Sequence, residues 1–521
     1  MTDIVLTTFN AKYAHASMGL RCLFASLGEL RERAVIDEAI CGDRAVEVAE
    51  KLLAHAPKII GIGVYVWNAP ASRELVTVLK KIAPEVKVVI GGPEVSHELD
   101  LQPIVATADY VVTGEGEEAF AKLCGSILAG EPPSAKTHAG GLPDLATLQL
   151  PYAYYDDDDV AHRVIYVEAS RGCPFTCEFC LSSLDERVRN VPLERLFPEL
   201  EKLMARGVDH FKFIDRTFNL KPAVSSAILR FFLERYRPGS FVHFEMVPDR
   251  LPDSLRALLA QFPPGAVQLE VGVQTFNDEV AARIGRRQDV AKLEANFRYL
   301  RESTGVHLHA DLIAGLPGET LESFAAGFDR LLSLDPQEIQ VGILKRLRGA
   351  PIARHTESHR MVYADEAPYE VLSTDVITFA TMQRLKRFAK VWDAIGNSGH
   401  FLESRPLLWG DGSPFASVMR LADRAHTELG RTHAVSLERW FSLVFAFLTE
   451  ERAVIPRYAA TKLHADYTRS GRKKLRWLAE LADGSAVRDD VSRDESLQRI
   501  HSVPIGSMQG LPRRQARHRK N

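Results

Sequence analysis

The chain reads as a multidomain α/β protein: a doubly wound parallel sheet in front, a partial (β/α)6 barrel in the middle, and a mainly helical domain behind. Three observations carry that reading. Short apolar runs alternate with amphipathic stretches from Ile4 to Thr113, and again from Val164 to Leu344. This is the pattern of parallel strands joined by crossover helices. After about residue 370 the apolar spacing becomes helical, and 521 residues leave room for roughly three domains. The expected boundaries are 1–145 for the first domain, 146–162 for a linker, 163–370 for the barrel, 371–510 for the helical domain and 511–521 for a basic disordered tail.

Composition narrows the class. Hydrophobic residues make up 46% and charged residues 26%, as in ordinary globular proteins. A net charge of −3 gives no global field toward nucleic acid, and the basic run Arg513–Lys520 is read as a solvated end. The chain enters a strand, Ile4–Thr8, with no basic region and apolar signal core ahead of it. No apolar run reaches the length of about 18 residues that a membrane span needs. Six cysteines in 521 residues make no disulfide framework, so a reducing, cytoplasmic setting is expected.

In the first domain the strands are placed at Ile4–Thr8, Ala34–Ile40, Ile59–Tyr65, Val86–Ile90 and Tyr110–Thr113, with a helix over Ser72–Ile82. Ligands of such sheets bind at the C-terminal strand ends. The third strand is followed there by Tyr65-Val66-Trp67-Asn68, the fourth by Gly91-Gly92-Pro93-Glu94 and the fifth by Gly114-Glu115-Gly116-Glu117. The glycines let backbone approach a ligand closely. Pro151–Asp159, ending in four aspartates, reads as a linker without apolar period.

The barrel strands are placed at Val164–Glu168, His210–Ile214, Val242–Met246, Val267–Val273, His307–Leu312 and Glu338–Leu344. The first leads into Arg171-Gly172-Cys173-Pro174-Phe175-Thr176-Cys177-Glu178-Phe179-Cys180, a C-x3-C-x2-C loop at a strand's C-terminal end. Three thiolates on one short loop can hold three corners of a cubane iron–sulfur cluster; a fourth would close it. Structural zinc takes four ligands, and no nearby Cys or His follows Cys180. Scattered core thiols would not cluster within eight residues.

That loop, with Phe179 before the last cysteine, resembles the signature of the radical S-adenosylmethionine (SAM) superfamily. The resemblance implies a [4Fe–4S] cluster on Cys173, Cys177 and Cys180, with SAM on the open iron. Gly272-Val273-Gln274-Thr275-Phe276-Asn277 with Arg286-Arg287-Gln288-Asp289, and Asp311-Leu312-Ile313-Ala314-Gly315-Leu316-Pro317-Gly318-Glu319-Thr320, resemble segments of radical SAM coproporphyrinogen dehydrogenases. This implies SAM contacts from Glu245, Gln274, Arg286 and Asp311. Asp215 and Asn219 end the second barrel strand at the same mouth, and Phe179 belongs to the cofactor loop. Such side chains need partners when buried, and a zwitterionic sulfonium ligand supplies them.

The first domain, flavodoxin-like and set before a radical SAM domain, is similar to the cobalamin-binding domains of cobalamin-dependent radical SAM enzymes. The resemblance implies cobalamin contacts from Tyr65, Asn68, Gly91, Gly92, Glu94, Gly114, Glu115 and Gly116. The Asp-x-His-x-x-Gly pattern that supplies a cobalt ligand elsewhere is missing. His15 has no aspartate two residues before it, and its glycine comes one residue late. The expected activity is reductive SAM cleavage to a 5′-deoxyadenosyl radical and C-methylation of an unactivated carbon. Substrate would be a small molecule or peptide, and the electron donor a protein such as flavodoxin or ferredoxin. The alternatives are a radical SAM cyclase or oxidoreductase, an RNA methylthiotransferase, which would need a second cluster on Cys22, Cys41 and Cys124, and a non-catalytic regulator.

Behind the barrel, Tyr369–Ile395, Leu437–Phe447, Ala459–Thr468 and Arg472–Leu481 read as helices, the last two parted by Ser470-Gly471. The region resembles an uncharacterised helical domain attached to some cobalamin-type radical SAM proteins, and its position after the barrel gives the expectation of a cover over the barrel mouth. Tyr369, Trp392, His400 and Arg405 are read as packing or surface residues.

Overall fold

The computed structural model describes residues 2–469, 475–484 and 513–518. They divide into two compact units. The first comprises Met1–Val247, Ala281–Arg287 and Leu344–Leu372, and the second Pro248–Val280, Gln288–Ile343 and Ser373–Asn521.

In the first unit the leading strands are β1 (Ile4–Asn10), β2 (Ala34–Ile36), β3 (Ala39–Ile40), β4 (Ile59–Gly63), β5 (Lys87–Gly91), β6 (Tyr110–Thr113) and β7 (Thr137–Ala139). They form a parallel sheet in the order β2-β1-β4-β5-β6-β7, with β3 also on β1. The chain reverses its direction of travel between β1 and β4, so the crevice at their C-terminal ends is a switch point for ligands. Every residue of β1 is buried, because a doubly wound sheet is covered on both faces. Alternate residues serve opposite cores. Val5, Ile60, Ile62 and Val88 pack against helices Ala45–Leu53 and Ala69–Ile82. Ile4, Leu6, Ile59 and Val89 pack against helices Met18–Ser26 and Glu117–Leu128.

Two expectations are corrected in this sheet. The strand expected over Ala34–Ile40 breaks at Asp37-Glu38, whose carboxylates are drawn off to Lys51 and Arg21. The expected linker, 146–162, ends in an ordered helix, Asp157–His162, closed by a capping box between Asp156 and Asp159. Its pattern is legible in hindsight: acidic residues fill the first turn, where the helix dipole favours them. Asp159 is 2% exposed and pairs with the buried Arg21.

The barrel strands follow. In the first unit β8 (Ile165–Val167) is succeeded by a short antiparallel pair, β9 (Ser170–Arg171) with β10 (Arg189–Asn190). Next come β11 (His210–Phe213) and β12 (Phe241–Met246), and β11 lies parallel to both β8 and β12. The second unit holds β13 (Val267–Gln274), β14 (His307–Ala314) and β15 (Glu338–Ile343), also parallel, with β14 central. Helices Leu193–Ala205, Pro222–Glu234, Val290–Ser303 and Leu321–Ser333 intervene.

The rest of the second unit is helical, as expected, with shifted bounds. The helix expected from Tyr369 starts at Phe379, where the Thr378 side chain accepts from the Thr381 N–H, and it ends in a wider turn at Asp393–Asn397. Pro414–Leu429, Leu437–Ala446 and Pro456–Arg469 follow. The last long helix is Arg476–Asp483; the expected break at Ser470-Gly471 lies outside the described residues. The tail expected to be disordered contains a helix, Arg513–Arg517. Arg514 pairs with Glu338 and Asp393, and Arg517 donates to the Ser398 carbonyl. Among the described residues no helix is long and apolar enough to cross a membrane.

Candidate active site

The three-cysteine loop is fixed by backbone contacts before any ligand is considered. The Cys173 N–H donates to the Asp185 carbonyl (2.8 Å), the Glu178 N–H to Ile284 (3.0 Å) and the Cys180 N–H to Cys177 (3.1 Å). Gly172 makes the turn at φ +90°, where a Cβ would lie 2.3 Å from the Arg187 carbonyl oxygen. Cys173 and Cys177 are buried and Cys180 half-buried. The Cys173 thiol is raised by burial and, against a backbone N–H from Phe175, by the neighbouring Cys180 and Cys177. Arg286 donates to the Cys177 sulfur at 3.5 Å. Among the described residues no three His, Cys, Asp or Glu groups are gathered tightly enough for a single metal ion. The donor set is three sulfurs that influence one another plus a guanidinium at one of them, which suits an anionic sulfur cluster.

The expected SAM residues divide by task. Asp215, 4% exposed, accepts from the Ala169 N–H (3.0 Å) and the Ser170 hydroxyl (2.5 Å). It thereby pins the end of β8 to β11, and burial pushes its carboxyl up to about 6. Asn219 makes two hydrogen bonds to the Val247 backbone, at 2.8 and 2.9 Å. Glu245 pairs with Arg216 at 3.2 Å. Phe179 is half-buried. In the second unit, Gln274 closes β13 at φ +70°, its Oε1 buried without a hydrogen-bond partner among the described residues. Asp311 stands on β14, paired with His309 at 3.4 Å. A buried, unsatisfied carbonyl at a residue with positive φ is uncommon.

The first unit also contains a cavity of about 490 Å3, walled by the ends of β4, β5 and β6 and by Ser170, Arg171, Gly172 and Arg216. Of the expected cobalamin residues, Tyr65, Gly91, Gly92, Gly114, Glu115 and Gly116 line it. Gly92 and Gly114 have φ +109° and +71°, so the wall there is bare backbone that an L side chain would strain or cover. Asn68 and Glu94 lie elsewhere. Asn68 is 1% exposed, accepts from the Tyr65 N–H at 2.8 Å and donates to Thr8, Phe9 and Gly63; it shapes the Tyr65 loop. Glu94 is buried against Arg348 (3.0 Å) and Tyr369 (2.5 Å). His15 hydrogen-bonds the Tyr166 hydroxyl at 2.6 Å and is not among the lining residues.

Arg171 is a site residue the sequence did not single out. It reaches Glu115 (2.7 Å), Glu117 (2.7 Å) and Glu168 (2.8 Å), joining the β6 loop to the residue before Gly172. Burial pushes the Glu168 carboxyl up to about 7 although Arg171 opposes the shift. The available signal was an arginine directly ahead of Gly-Cys-Pro, facing Gly-Glu-Gly-Glu.

A doubly wound sheet whose glycine-lined ligand end shares a cavity with the approach to a three-thiol loop is the arrangement of an α/β enzyme that brings a sheet-bound cofactor to a metal cluster. Comparison with known proteins agrees. Residues 4–124 match the B12 binding domain, 167–331 the radical SAM superfamily, and 357–514 a protein family of unknown function, DUF4080. The chain belongs to the cobalamin-dependent radical SAM family, whose cofactors are a [4Fe–4S] cluster, SAM and cobalamin. It is 27% identical over 336 residues to the cobalamin-dependent radical SAM methyltransferase TokK of Streptomyces tokunonensis, covering 57% of this chain and 48% of that one. To a ribosomal protein uS12 methylthiotransferase RimO of Geotalea uraniireducens it is 29% identical over 187 residues, 33% of this chain and 42% of that one. The chain thus spans about half the length of these curated relatives. The methyltransferase TsrM of Kitasatospora setae, solved with cobalamin and [4Fe–4S] cluster bound, shares the fold. Its TM-score is 0.54 at 19% identity, over 73% of this chain and 82% of that one.

Proposed function

We propose that this enzyme methylates an unactivated carbon of a small-molecule or peptide substrate in the cytoplasm, drawing electrons from a flavodoxin or ferredoxin. The observation that carries the reading is the shared cavity: the bare glycine ends of β5 and β6 and the Arg171–Gly172 entry to the cysteine loop line one space. When bound, the cluster, SAM and cobalamin supply a 5′-deoxyadenosyl radical and a methyl group.

The chain's own residues hold and shield that chemistry. Cys173, Cys177 and Cys180 are assigned to the cluster. Glu245 and Arg286, and in the second unit Gln274 and Asp311, are assigned to SAM, with Phe179 and Asp215 supporting the loop. Tyr65, Gly91, Gly92, Gly114, Glu115 and Gly116 are assigned to cobalamin, while Asn68 and Glu94 shape its loops. Arg171, neutralised by three carboxylates, fixes the distance between the glycine loops and the cysteine turn.

Anaerobic reconstitution should give about four irons per chain, the content of one cubane, and incubation with SAM and dithionite should yield 5′-deoxyadenosine. About eight irons would favour the methylthiotransferase reading, and no 5′-deoxyadenosine the regulator. Against a second cluster, the Cys124 thiol sits in the apolar core beside Leu123 and Phe120, pushed up to about 12 by burial.

A further inference from the structure

Within the first unit, the segment 344–372 touches both loops assigned to metal cofactors. At one end Arg348 donates to Glu94 (3.0 Å) and Glu98 (3.2 Å), and Arg346 to Glu98 (3.0 Å). These carboxylates lie on the loop after β5, directly beyond Gly91 and Gly92. Tyr369 also hydrogen-bonds Glu94, and Arg348 lies over its ring at 4.8 Å. Gly349, φ +81°, passes so close to His97 that a Cβ would meet the imidazole at 2.4 Å. At the other end the Ile352 N–H donates to the Glu178 carbonyl at 2.9 Å. His355 hydrogen-bonds the Glu178 carboxylate at 2.7 Å, and Arg354 pairs with it. Glu178 stands between Cys177 and Phe179.

Ile352 lies three residues on from Gly349, and three extended residues span at most about 11 Å. They are not free to stretch, because Pro351–His355 forms a 3-10 turn. The segment is also closed on itself, with Arg346 N–H to Tyr369 carbonyl at 3.0 Å and Val371 N–H to Leu344 at 2.8 Å. Glu94 and Glu178 are 4% and 6% exposed, so neither carboxylate can exchange these partners for water without rearrangement.

We propose that segment 344–372 is a strap that sets the cobalamin loop against the cluster loop, with Arg348 and His355 as its positioning residues. The proposal rests on the cofactor assignment above. It differs from local packing in one respect: a change at either end alters the loop at the other.

Hydroxocobalamin is titrated by absorbance into anaerobic protein with its cluster reconstituted, and into protein without iron. In the unaltered chain the cluster should tighten hydroxocobalamin binding roughly fivefold or more, the usual range of coupling between sites. In Arg348→Ala and in His355→Ala that ratio should fall toward one. His355→Ala is the sharper case, because its hydrogen bond is to the cysteine loop while the readout is at the cobalamin loop. Arg348→Lys, which keeps the charge without the fork, should give an intermediate ratio and serves if Arg348→Ala melts below the assay temperature. An unaltered chain with a ratio of one, or variants that keep the full ratio, would overturn the strap and leave the cofactor assignment standing. Protein that takes up cluster but no hydroxocobalamin would overturn both.

Discussion

A guanidinium nitrogen of Arg286 lies 3.5 Å from the sulfur of Cys177, although 109 residues separate them in sequence. Hydrogen bonds to cluster sulfurs withdraw electron density and raise the reduction potential. Arg286→Gln should therefore keep about four irons but shift the cluster midpoint, followed by EPR titration, to more negative potential. SAM cleavage should slow on the order of tenfold, given the strength of a hydrogen bond to a charged group.

Gly172→Ala places a Cβ 2.3 Å from the Arg187 carbonyl oxygen at a residue with φ +90°. The strain of such a site is about 1–3 kcal/mol, and the turn it distorts carries Cys173. Iron retained after gel filtration should drop to a small fraction of the unaltered level, with the melting profile largely kept.

Gly114→Ala separates the other cofactor. A Cβ there meets its nearest atom only at 3.7 Å, so nothing clashes, and the cost is the strain of an L residue at φ +71° on a loop that lines the cavity. Hydroxocobalamin affinity should fall on the order of tenfold, equivalent to about 1.4 kcal/mol, while iron content stays unchanged.

The second unit should weaken as pH rises. His309 lies between Asp311 (3.4 Å) and Glu338 (3.5 Å). Burial pulls its pKa down, but pairing with the two carboxylates outweighs that and carries it from 6.5 to about 10. A raised folded-state value means the stabilisation is complete below about 6.5 and lost as pH climbs toward 10. Glu270 and His307 also face His309, and Arg514 sits on Glu338. Melting temperature should decline across that window, and His309→Gln should flatten the decline.

Arg21→Ala should be the most destabilising of these changes. Arg21 is 3% exposed and holds Glu38 and Asp159, which would be left buried with Arg163 as their remaining arginine. Leaving a buried charge wholly unpaired costs about 3–5 kcal/mol, so with Arg163 in place the loss should stay below that, readable as a lower urea midpoint.

The sequence displayed the fold well where period decides it. Ile4-Val5-Leu6 in β1, Val88-Val89-Ile90 in β5 and Val111-Val112 in β6 are consecutive apolar residues because both sheet faces are covered there. It did less well where single polar contacts decide. The acidic run at Asp156–Asp159 looks like linker until Arg21, 138 residues from Asp159, is known to lie against it. At the site, the thiol loop and the glycine loops announce themselves by spacing. Asn68 and Glu94 do not: one serves the Tyr65 turn and the other Arg348, roles set by residues distant in the chain. Arg171 escaped notice for the same reason, since nothing near it in sequence shows three carboxylates converging.

The docked helix Arg513–Arg517 bears on where this polypeptide can be shortened. Arg514 is the arginine on Glu338, which also faces two imidazoles, and His518 reaches the Asn397 carbonyl at 2.8 Å. A version trimmed after the last long helix would discard both and leave the Glu338 carboxylate at the start of β15 and the Asn397 carbonyl of the Asp393–Asn397 turn without these partners. Expression designs should therefore retain residues 513–518, and an affinity tag placed beyond them needs a spacer long enough to leave that helix seated.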